Sequence, residues 1–449
     1  MDTPVPGVRP WLSPESLSRE SEILASFARM EPTGIDGRLH DLISRNRYIH
    51  EAECINLNPA TNVMNPRAEA VMAAGLGSRP SLGDPGEKYE MGLEAMEEIE
   101  VIAAALVRQL FGCRFAELRV ASGAMANLYA FMATCAPGDS IIVPPPSIGG
   151  HVTHNTAGAA GLYGLDIHEG PIDAAHHTYN LDALAEQARR VRPRLITIGT
   201  SLNLMPHPVA AIREIADEVG ARVLFDAAHA CGMFAGGAWP MPLDEGAHLM
   251  TMSTYKSLGG PPSGLVLTND EDLAHQIDSI AYPGLTANFD AGCTAALAIT
   301  MLDWLEFGEA YAAEMVATSA ALAEALVGLG VPVHQTAGGP TTSHQFAIDA
   351  ERWSGGMAGS QTLRRANLLA CEIGLPGKDA DGRPRTGIRL GTPETVRWGM
   401  TAAEMPELAG IIADALSAAP DPDGSGREAM LARTAHLRER FCELHYIRS

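Results

Sequence analysis

From about residue 65 to residue 300 the chain alternates short apolar runs with longer amphipathic ones, and this alternation limits the fold more than any other feature. Strand-like runs recur at residues 117–120, 140–143, 195–198, 222–225 and 264–267, with helix-like stretches at 92–111, 124–135 and 209–219. Short strands separated by such stretches pair in parallel through crossover helices. The pattern therefore predicts right-handed βαβ units and a mainly parallel central sheet flanked by helices, an α/β fold.

From residue 301 the pattern changes. A long helix through 326, strands at 331–334 and 345–348, a helix at 361–373, a strand at 387–390 and a helix at 403–418 describe a smaller α+β C-terminal domain. The expected organisation is an N-terminal arm over 1–65, a large domain over 66–300, a small domain over 301–419, and a linker with a C-terminal helix over 420–449. The arm carries helical stretches at 16–30 and 37–47, of a kind that commonly clasps a partner subunit. With 449 residues, 46% of them hydrophobic, the chain can fill two cores.

A formal charge of -22 repels nucleic acid and anionic membrane, so neither is expected as a partner. Seven scattered cysteines without CxxC spacing read as buried thiols in a reducing compartment. The N-terminus lacks the basic start and apolar run of a signal peptide, no stretch reads as membrane-spanning, and a cytoplasmic location is expected.

The chemistry-bearing residues fall at strand ends. Asp226 closes a strand-like run, and Lys256 follows thirty residues later in Thr254-Tyr255-Lys256-Ser257-Leu258-Gly259-Gly260-Pro261. Such a pair is what a pyridoxal phosphate site requires: the lysine amine forms the Schiff base, and the aspartate keeps the pyridine nitrogen protonated. Taken alone, the pair is better read as a buried capping aspartate and an unrelated exposed lysine; the further motifs, each in the right chain order, reverse that preference. Ser122-Gly123-Ala124 opens a helix after a strand and offers backbone N–H groups to a phosphate, although small residues there also serve as ordinary caps. In Gly149-Gly150-His151-Val152-Thr153-His154 the glycines let His151 lie flat against a ring; a solvated surface turn is the alternative. No carboxylate or cysteine stands nearby at ligand spacing, so no metal is expected. Arg389, between Ile388 and Leu390 in a short strand, needs an anion if it points inward, and a substrate carboxylate suits it.

In this order the motifs resemble those of serine hydroxymethyltransferases, a family of fold type I pyridoxal phosphate enzymes, over about residues 55–416. The matching segments are Ser122-Gly123-Ala124-Met125-Ala126-Asn127, Gly149-Gly150-His151-Val152-Thr153-His154, Asp226-Ala227-Ala228-His229, the Thr254 to Pro261 segment already quoted, and Gly387-Ile388-Arg389-Leu390-Gly391-Thr392-Pro393. The resemblance implies Lys256 as the Schiff-base lysine, Asp226 on the pyridine nitrogen, and His151 stacked on the ring. It further implies His229 and Ser201 near the phenolic oxygen, Ser122, Gly123 and Ala124 on the phosphate, Tyr255 at the cofactor, and Arg389 on the substrate carboxylate. A homodimer or dimer of dimers is implied as well, because family members build each site from two subunits.

Departures from the family pattern point to an altered substrate. Its folate-dependent members carry Tyr-Ala-Glu-Gly-Tyr-Pro-Gly where this chain reads Pro80-Ser81-Leu82-Gly83-Asp84-Pro85-Gly86, so a proton-handling glutamate is Leu82. Loss of such a group removes ~10²–10⁴-fold in rate unless another replaces it. Tyr255 stands in place of a histidine, and Ala60-Thr61-Asn62 in place of Ser-Glu-Asn. Thr61 and Tyr89 are expected to meet substrate or the neighbouring subunit, an ordinary packed side chain being the other reading of Tyr89. The expected activity makes or breaks the Cα–Cβ bond of a β-hydroxy-α-amino acid, serine or α-methylserine in type, with an aldehyde or folate as acceptor. Alternatives are an ordinary tetrahydrofolate-dependent serine hydroxymethyltransferase, an aminotransferase, and a weakly active cofactor-binding paralogue.

Overall fold

The computed structural model describes Arg9, residues 11–417 and residues 425–449. Two compact units divide the chain, residues 1–54 and 55–449. In the first, proline in the opening turn starts both helices, α1 (Pro14–Phe27) and α2 (Pro32–Tyr48), where its missing N–H is not needed. Ser13 caps α1 by accepting the Ser16 N–H at 3.2 Å. Neither helix buries a residue, and Trp11 stays 77% exposed. This unit ends before the expected limit at residue 65, because Ile55–Asn56 pairs in parallel with Leu368–Leu369 and joins the second unit.

The main sheet of that second unit has seven strands: β1 (Phe115–Glu117), β2 (Ser140–Val143), β3 (Asp166–Glu169), β4 (Leu195–Ile198), β5 (Arg222–Asp226), β6 (Leu249–Ser253) and β7 (Gly264–Thr268). Their spatial order is β1-β7-β6-β5-β4-β2-β3. From β6 to β3 every pairing is parallel, and β7 and β1 follow antiparallel to their neighbours. The strands read as unbroken apolar runs because both faces are covered. Ile142, Ile196, Phe225 and Met252 enter one core beside Val107 and Phe111 of α3 (Glu94–Phe111). On the opposite face Ile141, Leu195, Leu224 and Leu249 pack with Tyr129 and Phe131 of α4 (Gly123–Thr134). Strands β3 and β6 were not anticipated from the sequence: β3 is a charged edge of exposed and half-buried residues, and β6 is rich in methionine.

A long helix, α5 (Ala291–Gly328), gives Leu297, Met301, Trp304 and Met315 to the first core and Leu322 and Leu326 to another. It runs straight through residue 300, so the domain limit expected there falls inside a continuous helix. By length and composition α5 is also apolar enough to cross a membrane, which corrects the expectation that no stretch is; its most apolar window is 44% buried inside the fold. Asp303 on this helix is buried and accepts from Asn65 Nδ2 at 2.9 Å and the Arg448 N–H at 2.8 Å.

A second sheet follows, with β8 (Gln345–Asp349), β9 (Cys371–Lys378) and β10 (Pro384–Gly391), antiparallel in the order β8-β10-β9. The helix expected over 361–373 instead occupies Gly356–Arg365 and stops where Asn367 takes a left-handed φ of 58°. The strand expected at 331–334 is reduced to one bridge, Val333 to Ile348. The linker expected at 420–426 lies largely outside the described residues, and the charged helix beyond it spans Ser425–Glu439.

Candidate active site

Five chain segments leave the carboxyl edge of the main sheet and converge on a cavity of about 130 Å³. Ser122, Gly123, Ala124, His151, Ser201, Asp226, His229, Tyr255 and Lys256 all line it. This is the edge where parallel α/β sheets hold ligands, since each strand there feeds a loop or a helix N-terminus.

Asp226 ends β5 and is 6% exposed. Its Oδ2 accepts from His154 Nε2 and from Asn127 Nδ2, both at 2.9 Å, while Oδ1 takes the Ala228 N–H at 3.0 Å. Burial alone would raise the carboxyl pKa; the bond and charge of His154, with His151 and Asn127, outweigh it and hold the group well below the usual carboxylate range. Asp226 thus stays an anion with acceptor capacity left on Oδ1. Asn127 is itself fixed, donating to Thr153 Oγ1 at 2.9 Å and accepting from Thr251 Oγ1 at 2.6 Å. The sequence reading assigned no role to Asn127, His154, Thr153 or Thr251.

The glycines before His151 are required by backbone packing. A Cβ on Gly150 would stand 2.0 Å from the Pro144 carbonyl oxygen, and Gly149 has φ +79° with Leu202 N close by. This approach lets the Ser201 N–H reach the Gly149 carbonyl at 2.7 Å, so the His151 loop and Ser201 are joined. Thr153 Oγ1 and its N–H lie 2.9 and 3.3 Å from His151 Nδ1, which assigns the ring proton to Nε2. Burial, partly offset by Asp226, lowers the His151 pKa and keeps the ring neutral near pH 7.

Lys256 follows β6 in a turn stapled by Thr254, whose Oγ1 donates to the Pro261 carbonyl at 2.5 Å. Lys256 is 6% exposed, and its amine lies 3.0 Å from His229 Nε2. Desolvation, partly offset by Asp226, lowers its pKa to about 8. Burial, reinforced by the charges of Lys256 and Arg389, holds His229 well below the ordinary histidine range, so it is neutral. With Nε2 facing the amine, the ring proton is assigned to Nδ1, a buried atom without a protein partner.

Arg389, 6% exposed on β10, reaches the same place from the second sheet. Its Nη1 donates to the Ser201 carbonyl and lies 3.4 Å from His229 Nε2, and its Nε and Nη2 are 3.3 and 3.2 Å from Cys371 Sγ. Thr61 and Tyr89 are not brought to the cavity of their own chain. Thr61 Oγ1 accepts from Asn56 Nδ2 at 2.8 Å in a turn, and Tyr89 is 78% exposed. Among the described residues no group of three His, Cys, Asp or Glu side chains is placed to hold a metal ion.

The arrangement fits pyridoxal phosphate. Gly123 and Ala124 open α4, where the first N–H groups have no intrahelical partner, and with Ser122 they line the cavity; a Cβ on Gly123 would stand 2.1 Å from Ser253 Oγ, so glycine suits the close approach. Across the same cavity lie an ionised Asp226, an amine with a lowered pKa, and the unpartnered Nδ1 of His229.

Comparison with known proteins shows the family. The family description serine hydroxymethyltransferase matches residues 33–412. A Ralstonia sp protein named Alpha-methylserine aldolase is 54% identical over 441 residues, covering 98% of this chain and 99% of its own. A Variovorax paradoxus protein of the same name is 57% identical over 439 residues, 98% of each chain. Serine hydroxymethyltransferase of Methanopyrus kandleri is 36% identical over 411 residues, 91% of this chain and 95% of its own. The chain belongs to the serine hydroxymethyltransferase family, whose enzymes are pyridoxal phosphate-dependent.

Proposed function

We propose that this enzyme cleaves the Cα–Cβ bond of α-methylserine, or of a close α-substituted serine, and releases formaldehyde without a folate acceptor. Pyridoxal phosphate, when bound, supplies the sink for the electron pair left on Cα. Lys256 would carry the cofactor, and Ser122 with the Gly123 and Ala124 N–H groups would hold its phosphate. Asp226 would face the ring nitrogen and His151 the ring, with Ser201 and His229 near the phenolic oxygen and Tyr255 beside the lysine. Arg389 would fix the substrate carboxylate.

The observation that carries the reading is the place of Arg389. Its guanidinium and the Lys256 amine both contact His229 Nε2, at 3.4 and 3.0 Å, so an amino acid held by its carboxylate presents its amine to the lysine's side of the site. An α-methyl substrate has no α-hydrogen, and proton abstraction at Cα cannot compete with cleavage. The reaction balances unaided: the hydroxyl loses its proton and becomes the formaldehyde carbonyl, Cα gains a proton, and alanine leaves. Among the described residues Asp226 is the only carboxylate lining the cavity, and it is already held as an anion by His154 and Asn127. Neutral His151 and His229 are then the bases at hand, in keeping with Leu82 at the family's glutamate position.

The reading extends to a homodimer or dimer of dimers in which Thr61 and Tyr89 serve the site of a second copy; the exposure of Tyr89 and of Met91, 85%, supports this. It extends also to a cytoplasmic location, supported by seven free cysteines, although only Cys54, Cys113, Cys135 and Cys231 are buried as expected, while Cys293 and Cys371 are half-buried and Cys442 is exposed. Serine cleavage with tetrahydrofolate as acceptor is the second reading; the Methanopyrus relative's name, serine hydroxymethyltransferase, favours serine as the substrate. Holoenzyme given each enantiomer of α-methylserine without tetrahydrofolate should release formaldehyde and alanine in equal amounts. If it releases none, yet turns serine into glycine with tetrahydrofolate at a typical enzymatic rate of about 1–10³ s⁻¹, the second reading replaces the first.

A further inference from the structure

Arg389 has five N–H groups in a rigid fork. Two of them, on Nε and Nη2, point at Cys371 Sγ at 3.3 and 3.2 Å, and one on Nη1 goes to the Ser201 carbonyl. The second N–H of Nη1 meets only His229 Nε2, at a long 3.4 Å, and Nη2 keeps one N–H, so these two are the pair that a substrate carboxylate would take in two parallel bonds. Sulfur therefore occupies the side edge of the fork and leaves the end edge for the ligand.

Cys371 is itself held. It pairs with Arg389 across the β9–β10 ladder, and its thiol donates to Asn58 Oδ1 at 3.1 Å. Asn58 is fixed in turn, because the same Oδ1 accepts the Ala60 N–H at 3.1 Å. The thiol thus acts as donor and acceptor at once, carrying the position of the turn after Ile55–Asn56 to the guanidinium. A weak acceptor suits the place: a carboxylate there would pair with Arg389 outright and compete with the substrate, whereas an apolar side chain would leave two buried N–H groups unpaired.

We propose that Cys371, seated by Asn58, is a positioning residue for substrate carboxylate recognition, turning the end edge of Arg389 toward the ligand. This rests on the assignment of Arg389 to the carboxylate, but not on which amino acid is cleaved.

The test compares ligands with and without a carboxylate on holoenzymes of the wild type, Cys371→Ala, Cys371→Ser and Asn58→Ala, following binding through the cofactor absorbance. Serine and glycine are the acids; aminoethanol and methylamine are their carboxylate-free counterparts. In Cys371→Ala the acids should bind about tenfold more weakly, the loss expected from two neutral-acceptor hydrogen bonds, with the amines within about twofold of wild type. The hydroxyl of Cys371→Ser should restore most of the affinity, and Asn58→Ala should show a smaller loss of the same kind. Equal weakening of acids and amines, or no weakening of either, overturns the role of Cys371. Arg389→Ala is the separate control: if it too leaves the preference for acids over amines intact, the assignment of Arg389 fails instead.

Discussion

Lys256 should ionise near pH 8, and chemical labelling of the cofactor-free protein reads this directly. The residue is 6% exposed, and lost hydration, which Asp226 offsets only in part, takes the amine's pKa from 10.5 to about 8. About 9% of the amine is then free at pH 7, against roughly 0.03% for an ordinary lysine, a gain in nucleophile of about 300-fold. The chain has only three lysines, Lys88, Lys256 and Lys378. Lys88 is sequestered with Glu100 at 2.6 Å, and Lys378 is exposed at the end of β9, where it serves as the internal reference. Trace acetic anhydride applied across the pH range, with each lysine peptide quantified by mass spectrometry, follows the free amine. Because the folded pKa is lowered, Lys256 is uncharged between about pH 8 and 10.5, where an ordinary lysine still carries its proton; its labelling should climb tenfold per unit below 8 and level off above. In Asp226→Asn the midpoint should fall further, because that carboxylate is the charge that raises it. Labelling of Lys256 that keeps climbing tenfold per unit beyond pH 9.5 refutes the reasoning, since it means that the fold stabilises the ammonium.

Arg389→Ala should weaken amino acid binding by about 2–5 kcal/mol, the usual cost of leaving a buried charged partner unpaired, and unchanged affinity in a binding titration would make Arg389 structural. Asp226→Asn removes the anion at the floor of the site and should lower kcat by about 10²–10³-fold with cofactor still bound; steady-state rates within tenfold of wild type would show that another group does this work. Gly123→Ala puts a Cβ 2.1 Å from Ser253 Oγ, so either that hydroxyl or the start of α4 must move. Its affinity for pyridoxal phosphate should fall, while that for pyridoxal, which lacks the phosphate, should change less; equal losses for both would remove the anion cradle.

What the sequence disclosed depends on how far along the chain each signal reaches. Both faces of the sheet are legible in runs such as Leu195–Ile198, because burial on two sides imposes an unbroken apolar stretch within a few residues. Asp226 and His229 are visible because a strand end and the turn after it are neighbours in the chain. Asn127 lies 99 residues from Asp226, the carboxylate it holds, and nothing local distinguishes it from any buried helical asparagine.

Cys371 is the sharper case. Residues 361–373 have the composition of a helix, and a helix there sends Cys371 away from Arg389. The left-handed turn at Asn367 ends that helix and commits the following residues to β9, whose register sets Cys371 opposite Arg389, Glu372 opposite Ile388 and Ile373 opposite Gly387. Neighbours in a strand face opposite sides of the sheet, so a slip by one residue would bring Glu372 or Ala370 opposite Arg389 in place of the thiol. A carboxylate would fill the fork and an alanine would leave it unpaired. The atom beside Arg389 is thus chosen by the ladder, and one misread helix end eleven residues before β10's first residue, at 373 and 384, was enough to hide it.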